Sequence, residues 1–316
     1  MTGSDKHAVA LSFGGLVLRF ASVDPELALE VHDPHARFLV ASAARATCDI
    51  ECAFGDPTAS PGAPIHGAGT PWELRRLAEG HDEVTFYGAW QGGMNPWLQL
   101  VLAPGLDRVK LLYRPYAGQG RRLRVGFPVD EYLVGRLLGS HQGVILHAAS
   151  IVESGRVALL LGHSGAGKST LAEIAAQAGA EILSDDRTII RTNGPARAWG
   201  TPWHGSYKAG SPRAGPIGAV FLLVQSTETR VVALTRGRAF QEVYVRVIQP
   251  TVDAEEIRAS VEVVERLIEA VPVFELHFRP DRTAFEMMQA TMRAIVRDAA
   301  VESEVVASKL LDGVRE

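Results

Sequence analysis

The chain has 316 residues, of which 47% are hydrophobic and 22% charged, and a formal net charge of −4, the composition of an ordinary globular protein. With a pI near 6.2 and no polybasic tail, the sequence argues against a nucleic-acid-binding protein. No apolar run approaches the length of a membrane span, and the polar residues 1–6 are unlike the start of a signal peptide. We therefore predict a cytoplasmic protein that binds neither nucleic acid nor membrane, with enough length for two domains.

Residues 1–126 are predicted to form a β-rich N-terminal domain. β-branched and aromatic residues concentrate in short runs separated by clusters of glycine, proline and aspartate. These runs predict strands at residues 9–20, 48–54, 83–90, 97–102 and 109–113, and a short helix is expected at residues 71–79. Cys48 and Cys52 lie on one face of the second strand, where we expect buried apolar residues rather than a metal site.

Residues 127–316 are predicted to form an α/β domain. A helix that begins near Asp130 is followed by strands and helices in alternation. The predicted strands are residues 144–152 (interrupted at 147–149), 157–161, 181–184, 187–191, 197–199, 218–224 and 273–278, and the predicted helices are residues 171–178, 236–248, 254–270 and 283–297. In an open α/β sheet, ligands bind at the carboxyl ends of the strands.

The residues that follow the apolar strand 157–161 match a phosphate-binding loop. Gly162 is followed by four residues and then by Gly167, Lys168 and Ser169. In this order, glycines let backbone N–H groups surround a polyphosphate, and a helix begins beneath it. Lys168 is expected to reach the β- and γ-phosphates, and the Ser169 hydroxyl to bind Mg²⁺. The predicted nucleotide-binding residues are Gly162, His163, Ser164, Gly165, Ala166, Gly167, Lys168, Ser169 and Thr170.

Two other glycine-rich motifs fit this stretch less well. A serine-hydrolase nucleophile elbow would need glycine in place of Ala166. A dinucleotide-binding fingerprint would need glycine in place of Ser164. The loop therefore predicts a nucleotide rather than an acyl group or a dinucleotide as ligand.

A pair of aspartates, Asp185 and Asp186, comes directly after the predicted strand 181–184. Because carboxyl ends of adjacent strands meet at one edge of a sheet, we expect this pair beside the γ-phosphate. Phosphoryl transfer uses one carboxylate to hold Mg²⁺ and another to accept the proton of the attacking hydroxyl. Neighbouring side chains of a strand point in opposite directions, so a single aspartate facing the metal is also consistent. His147, on a strand expected to lie nearby, is predicted to orient an aspartate or bind phosphate, and a purely structural role is equally open.

Together these residues resemble the HPr serine kinase/phosphorylase-like P-loop kinases. The shared features are the histidine in Leu146–Ala149, the loop from Gly162 to Ser169, and the paired aspartates after Ser184. The match is specific over residues 128–191 and weaker up to residue 278. Residues 137–170 look closer to the shorter relatives found with ribosomal-peptide biosynthesis, including lasso-peptide precursor kinases.

The resemblance implies a P-loop kinase core behind the β-rich domain, and ATP- and Mg²⁺-dependent phosphorylation of a hydroxyl, usually serine, in a peptide or protein. By position it implies that Asp185 is the general base, that Asp186 supports the metal or His147, and that Lys168 is catalytic. Ser169 and Asp186 would be the metal-side residues. Members of the family often form homo-oligomers.

The sequence departs from this family at residues 200–215, where a glycine- and proline-rich segment replaces a motif with a further carboxylate. This departure argues against phosphorylase activity and against HPr itself as substrate, without deciding either. Lys208 or Arg213 of this segment is expected to contact phosphate, although an ordinary surface loop fits as well. A kinase of a small-molecule hydroxyl, and a nucleotide-binding regulatory module without transferase activity, stay open as alternatives.

Overall fold

A computed structural model describes residues 7–67, 71–90, 93–115, 120–208 and 210–312; the polar residues 1–6 lie outside this part of the chain. The chain divides into two compact units. The first is Met1–Leu138 with Gln249–Ile257, and the second is Gly139–Ile248 with Arg258–Glu316. The sequence-based boundary lay at residues 126/127, twelve residues earlier than the structural division, because most of helix α1 (Val129–Ser140) and the segment 249–257 belong to the first unit. The architecture is mixed α/β, with several sheets.

The first unit is built on an eight-stranded sheet of order β4-β1-β2-β5-β9-β8-β7-β6, with a separate parallel pair of β10 and β3. One face of each central strand is buried, as period-two alternation requires. Its strands are β1 (Ala8–Phe13), β2 (Leu16–Ser22), β3 (Ala28–Glu30), β4 (Leu39–Val40), β5 (Cys48–Phe54), β6 (Trp72–Arg76), β7 (Asp82–Trp90), β8 (Gly93–Leu102), β9 (Arg108–Tyr113) and β10 (Arg122–Arg124).

Two predictions in this unit are wrong. The strand predicted at residues 9–20 is a hairpin, because Gly14 (φ 58°) and Gly15 (φ 82°) form a tight turn with positive φ at both positions. The helix predicted at residues 71–79 is strand β6, whose five residues all pair with β7, followed by a single 3₁₀ turn at Ala78–Gly80. The buried role of Cys48 and Cys52 is confirmed, and burial raises the pKa of each thiol to about 12.

The second unit contains a nine-stranded sheet of mixed direction. Its strands are β11 (Gly143–Glu153), β12 (Arg156–Leu161), β13 (Glu181–Ser184), β14 (Arg187–Arg191), β15 (Arg197–Trp199), β16 (Ala214–Gln225), β17 (Arg230–Ala233), β18 (Val247–Ile248) and β19 (Val273–Phe278). The helices after α1 are α2 (Lys168–Gln177), α3 (Arg236–Tyr244), α4 (Ala254–Ala270) and α5 (Arg282–Asp312). Strand β12 pairs antiparallel with β11 and parallel with β16.

Strand β12 is covered on both faces. Leu159 and Leu161 are buried in one hydrophobic cluster, and Leu160 is buried in a second cluster with Leu171 of α2 and Phe285 of α5. Complete burial of a leucine side chain contributes about 1.5–3 kcal/mol, so this strand is held firmly from two sides. The position of the first residue of the following loop is consequently well defined.

Most predicted elements of the second unit are confirmed, with two corrections. Strand β11 runs without interruption through His147, because that segment pairs with β14 on one side and β12 on the other. The helix predicted at residues 236–248 ends at Tyr244, and the next residues form β18, which pairs with β11. None of the helices in the described ranges is long and apolar enough to cross a membrane.

Candidate phosphate-binding site

The loop after β12 turns directly into helix α2. Gly165 (φ 79°) and Gly167 (φ 104°) adopt left-handed backbone conformations, and Gly167 is the N-cap residue of α2. No side chain caps this helix end, so its first N–H groups and the positive end of the helix dipole face the loop. A Cβ atom on Gly167 would lie 2.8 Å from Cζ of Phe278, so both the backbone angle and the space require glycine here.

Lys168 is folded back over the loop, with 6% of the residue exposed. Its Nζ donates hydrogen bonds to the carbonyl oxygens of Gly162 (2.8 Å) and His163 (3.3 Å), and lies 3.0 Å from Nε2 of His147. All three partners are neutral when His147 is unprotonated. Burial lowers the pKa of Lys168, with the positive charge of Arg246 adding to the effect and Asp186 opposing it. Among the residues that the structure describes, the ammonium group is therefore held in place without a carboxylate in direct contact.

His147 connects Lys168 to Asp186. Its Nδ1 atom lies 3.3 Å from Oδ1 of Asp186, whose Oδ2 accepts a 2.9 Å hydrogen bond from Arg187. Burial and the charge of Lys168 lower the pKa of His147, and Asp186 partly offsets them. A neutral ring with its proton on Nδ1, the tautomer we assign from these distances, accepts from Lys168 and presents its N–H to Asp186.

The two neighbouring aspartates have different environments. Asp185 is 1% exposed, and its two carboxylate oxygens accept hydrogen bonds from the backbone N–H groups of Gly205 and Tyr207, each at 2.9 Å. Asp185, the expected general base, is almost completely buried and directed at the segment 204–208. Asp186 is the aspartate that lies beside His147.

A cavity of about 320 Å³ brings most of the predicted site residues together. Its lining residues are His147, Ser164, Gly165, Gly167, Lys168, Ser169, Thr170, Asp186, Gly205 and Ser206. The other predicted residues lie around this wall: Gly162 and His163 hold the lysine through their carbonyls, and Ala166 is buried beneath the loop.

The wall fits a nucleotide phosphate with Mg²⁺. The described residues contain no group of three or more His, Cys, Asp or Glu side chains that could hold a metal ion alone. Mg²⁺ is commonly bound by one or two carboxylates together with substrate phosphates. Ser169 and Asp186 line the same cavity, which is the donor set that such a shared site needs.

Comparison with known proteins identifies no family. No family model matches the chain, and no curated protein matches it. Among solved structures, the chain is similar to the structure of the Hpr(Ser) kinase/phosphatase from Coxiella burnetii, with 12% sequence identity, a TM-score of 0.28, and coverage of 51% of this chain and 98% of that chain. At this TM-score the likeness supports no conclusion about function. The functional proposal depends instead on the geometry of the site.

Three residues of the site were not predicted. Gly205 and Ser206 come from the 200–215 segment, residue 209 of which lies outside the described residues. Of the cations expected to contact phosphate there, Arg213 instead pairs with Glu181 at 2.6 Å, and Lys208 is not part of the cavity wall. Arg246 adds positive charge near Lys168 and His147, and its carbonyl accepts the N–H of His147 at 2.8 Å. Nothing in the local sequence around Arg246 signals this position.

Proposed function

We propose that this protein is an ATP-dependent kinase that transfers the γ-phosphoryl group to a serine-type hydroxyl of a peptide or protein, with a ribosomal-peptide precursor as the first acceptor to test. The observation that carries the proposal is the placement of Asp186, Lys168 and the uncapped start of α2 around one cavity. This arrangement combines an anion-binding end with a carboxylate, which is what phosphoryl transfer to a hydroxyl requires.

The loop and Lys168 form the donor side. The glycine conformations and the open helix end suit the phosphates of a nucleotide, and the desolvated ammonium of Lys168 gains a counter-charge when an anion enters. Ser169, together with the phosphates themselves, would hold Mg²⁺, which when bound neutralises charge on the phosphates. Lys168 is already fixed by two carbonyls and His147. Its side chain therefore loses little conformational entropy on binding.

Asp186 takes the role of proton acceptor in this proposal. Its carboxylate lines the cavity, and it is oriented from two directions, by Nδ1 of His147 and by Arg187. His147 is a positioning residue, since its neutral ring fixes both Lys168 and Asp186 at separate nitrogens. Asp185 shapes the wall through the segment 204–208 and takes no proton.

The test compares Asp186→Asn with wild type, using ATP labelled on the γ-phosphate, Mg²⁺ and serine-containing peptides. We expect transfer to fall about 10²–10⁴-fold, the usual contribution of a positioned general base, while nucleotide affinity measured by titration stays within a few fold. Lys168→Met should lose nucleotide affinity as well.

Three outcomes would change the assignment. Near-normal transfer by Asp186→Asn would remove Asp186 as the base. Label only on small hydroxyl compounds would identify a small-molecule kinase instead. Nucleotide binding by wild type without consumption of ATP in the presence of any acceptor would leave a regulatory module.

A further inference from the structure

The segment 204–208 is held at the wall of the phosphate cavity by a buried carboxylate. Asp185 accepts the N–H groups of Gly205 and Tyr207, which are the two neighbours of Ser206 along the chain. Ser206 is thus fixed by its backbone on both sides. A carboxylate that accepts two backbone N–H groups holds a loop more strongly than neutral hydrogen bonds do.

Gly205 lies directly against the proposed proton acceptor. A Cβ atom built on Gly205 would be 3.2 Å from Cβ and 3.5 Å from Cγ of Asp186. The next residue, Ser206, is exposed and lines the same cavity as Asp186 and Lys168. Its hydroxyl has no hydrogen bond to another described residue.

The other serines near the cavity are placed differently. Ser164 and Ser169 belong to the donor loop and the first turn of α2, where they would face phosphates that are bound rather than transferred. Ser184 is completely buried and donates its hydroxyl to the carbonyl of Arg187 at 2.6 Å. Of these four serines, Ser206 is the one that lines the cavity from a separate segment, directly after the glycine that lies against Asp186.

We propose that Ser206 is a phosphorylation site of this protein, modified by the protein's own active site within one chain. The inference depends on the proposed kinase function and adds an acceptor to it. In the step, Oγ of Ser206 forms a bond to the γ-phosphorus of ATP as the bond between that phosphorus and the β,γ-bridging oxygen breaks. ADP leaves with the electron pair, and the hydroxyl proton moves to Asp186.

The experiment incubates the full chain with γ-labelled ATP and Mg²⁺, and then locates the label by mass spectrometry of peptides. We expect label on Ser206 in wild type, loss of that label in Ser206→Ala, and a labelled threonine in Ser206→Thr. Ser211→Ala is the matched control, because Ser211 lies in the same segment with its hydroxyl directed at Glu181. This control should label as wild type does.

Two further measurements separate the possible failures. The first-order rate of labelling should not change with protein concentration, and a Lys168→Met chain mixed with wild type should stay unlabelled. Label on that chain would overturn the single-chain step. Transfer to an added peptide without label on Ser206 would overturn the inference and leave the proposed kinase intact, whereas absence of any ATP consumption would remove both.

Discussion

Two cations, Arg136 in the first unit and Lys168 in the second, are both buried, but their charges are compensated in opposite ways. The side chain of Arg136 is 5% exposed and hydrogen-bonds to Asp82 (3.0 Å), Glu256 (2.8–3.0 Å) and the hydroxyl of Tyr132 (3.0 Å). Lys168 is equally buried but directly contacts two carbonyls and an imidazole. Two carboxylates surround the first charge, whereas no carboxylate in the described ranges touches the second.

The pKa shifts of the two cations follow this difference. Burial lowers the pKa of Arg136, but Tyr132 and Glu256 outweigh burial and raise it. Burial lowers the pKa of Lys168, and Asp186 does not restore it. A buried charge with complete internal partners belongs to structure, whereas one without a direct counter-ion favours the entry of an anion. The comparison therefore separates a structural cluster from a candidate binding site without reference to any motif.

The largest effect should come from breaking the structural cluster. Arg136→Met leaves the half-buried Glu256 without this partner and the buried Asp82 with Arg76 alone, so we expect the free energy of unfolding to fall by about 3 kcal/mol. Denaturant titration followed by circular dichroism measures this loss. Arg266→Met removes an exposed pair with Glu262 and should cost only about 0.3–0.5 kcal/mol. Equal losses in the two variants would show that the cluster around Arg136 is not structural.

A smaller effect should come from adding the nucleotide that is proposed to bind beside Lys168. With ATP and Mg²⁺ at 100 times the dissociation constant, we expect the protein to be stabilised by about 2.7 kcal/mol, seen as a rise in Tm. Lys168→Met should abolish this rise while changing the stability of the free protein by no more than about 1 kcal/mol, since lost hydrogen bonds are offset by removal of a buried charge. A free Lys168→Met protein as damaged as Arg136→Met would contradict the distinction.

The smallest effect should be a pH dependence that originates at His147. The pKa of His147 is lowered from its ordinary value of 6.5 by burial and by Lys168, so below pH 6.5 the unfolded chain binds more protons than the folded one. Stability should therefore fall as the pH drops from 6.5 through the lowered pKa. Transfer should fall in the same range, because a protonated ring cannot accept from Lys168.

A matched variant isolates this titration. His147→Gln keeps one donor and one acceptor on the side chain but does not titrate. Its transfer rate and its unfolding free energy should show a weaker dependence on pH below 6.5 than wild type. An unchanged profile in this variant would assign the dependence to another group.

The loop and the start of α2 are predictable from sequence because the residues that form them are contiguous. The order of glycines, Lys168 and Ser169 specifies both the loop and the start of α2. The placement of the two aspartates is not predictable in the same way, because a turn after β13 decides which carboxylate faces the cavity. In that turn Ser184 Oγ accepts the N–H of Arg187 at 3.2 Å, and Asp185 is directed to residues 205 and 207. That partner segment is distant in the chain, so no local pattern reveals it.

The secondary structure follows the same rule: most elements specified by neighbouring residues are predicted, and an element fixed by pairing with another strand is not. Strands 48–54, 181–184, 187–191, 197–199 and 273–278 and helix 254–270 are predicted with the bounds that the structure has. The glycine pair at residues 14 and 15 was a visible turn signal within the predicted strand 9–20. The strand β6 carries little β-propensity in Glu73, Arg75 and Arg76, and it is fixed by pairing with β7. The P-loop kinase assignment and its acceptor class stay predictions.

The pairing of β12 also determines when the site can form as the protein folds. Leu161, the last residue before the loop, pairs with Leu222 of β16, and Gln225 at the end of that strand donates to the carbonyl of Gly165 at 3.0 Å. Pairing between such distant residues is slow, because the intervening chain must close first. During synthesis, a nascent chain that ends after α2 already contains the whole loop motif but lacks the strand that frames it. The proposed nucleotide site should therefore form late, once β16 has been synthesised.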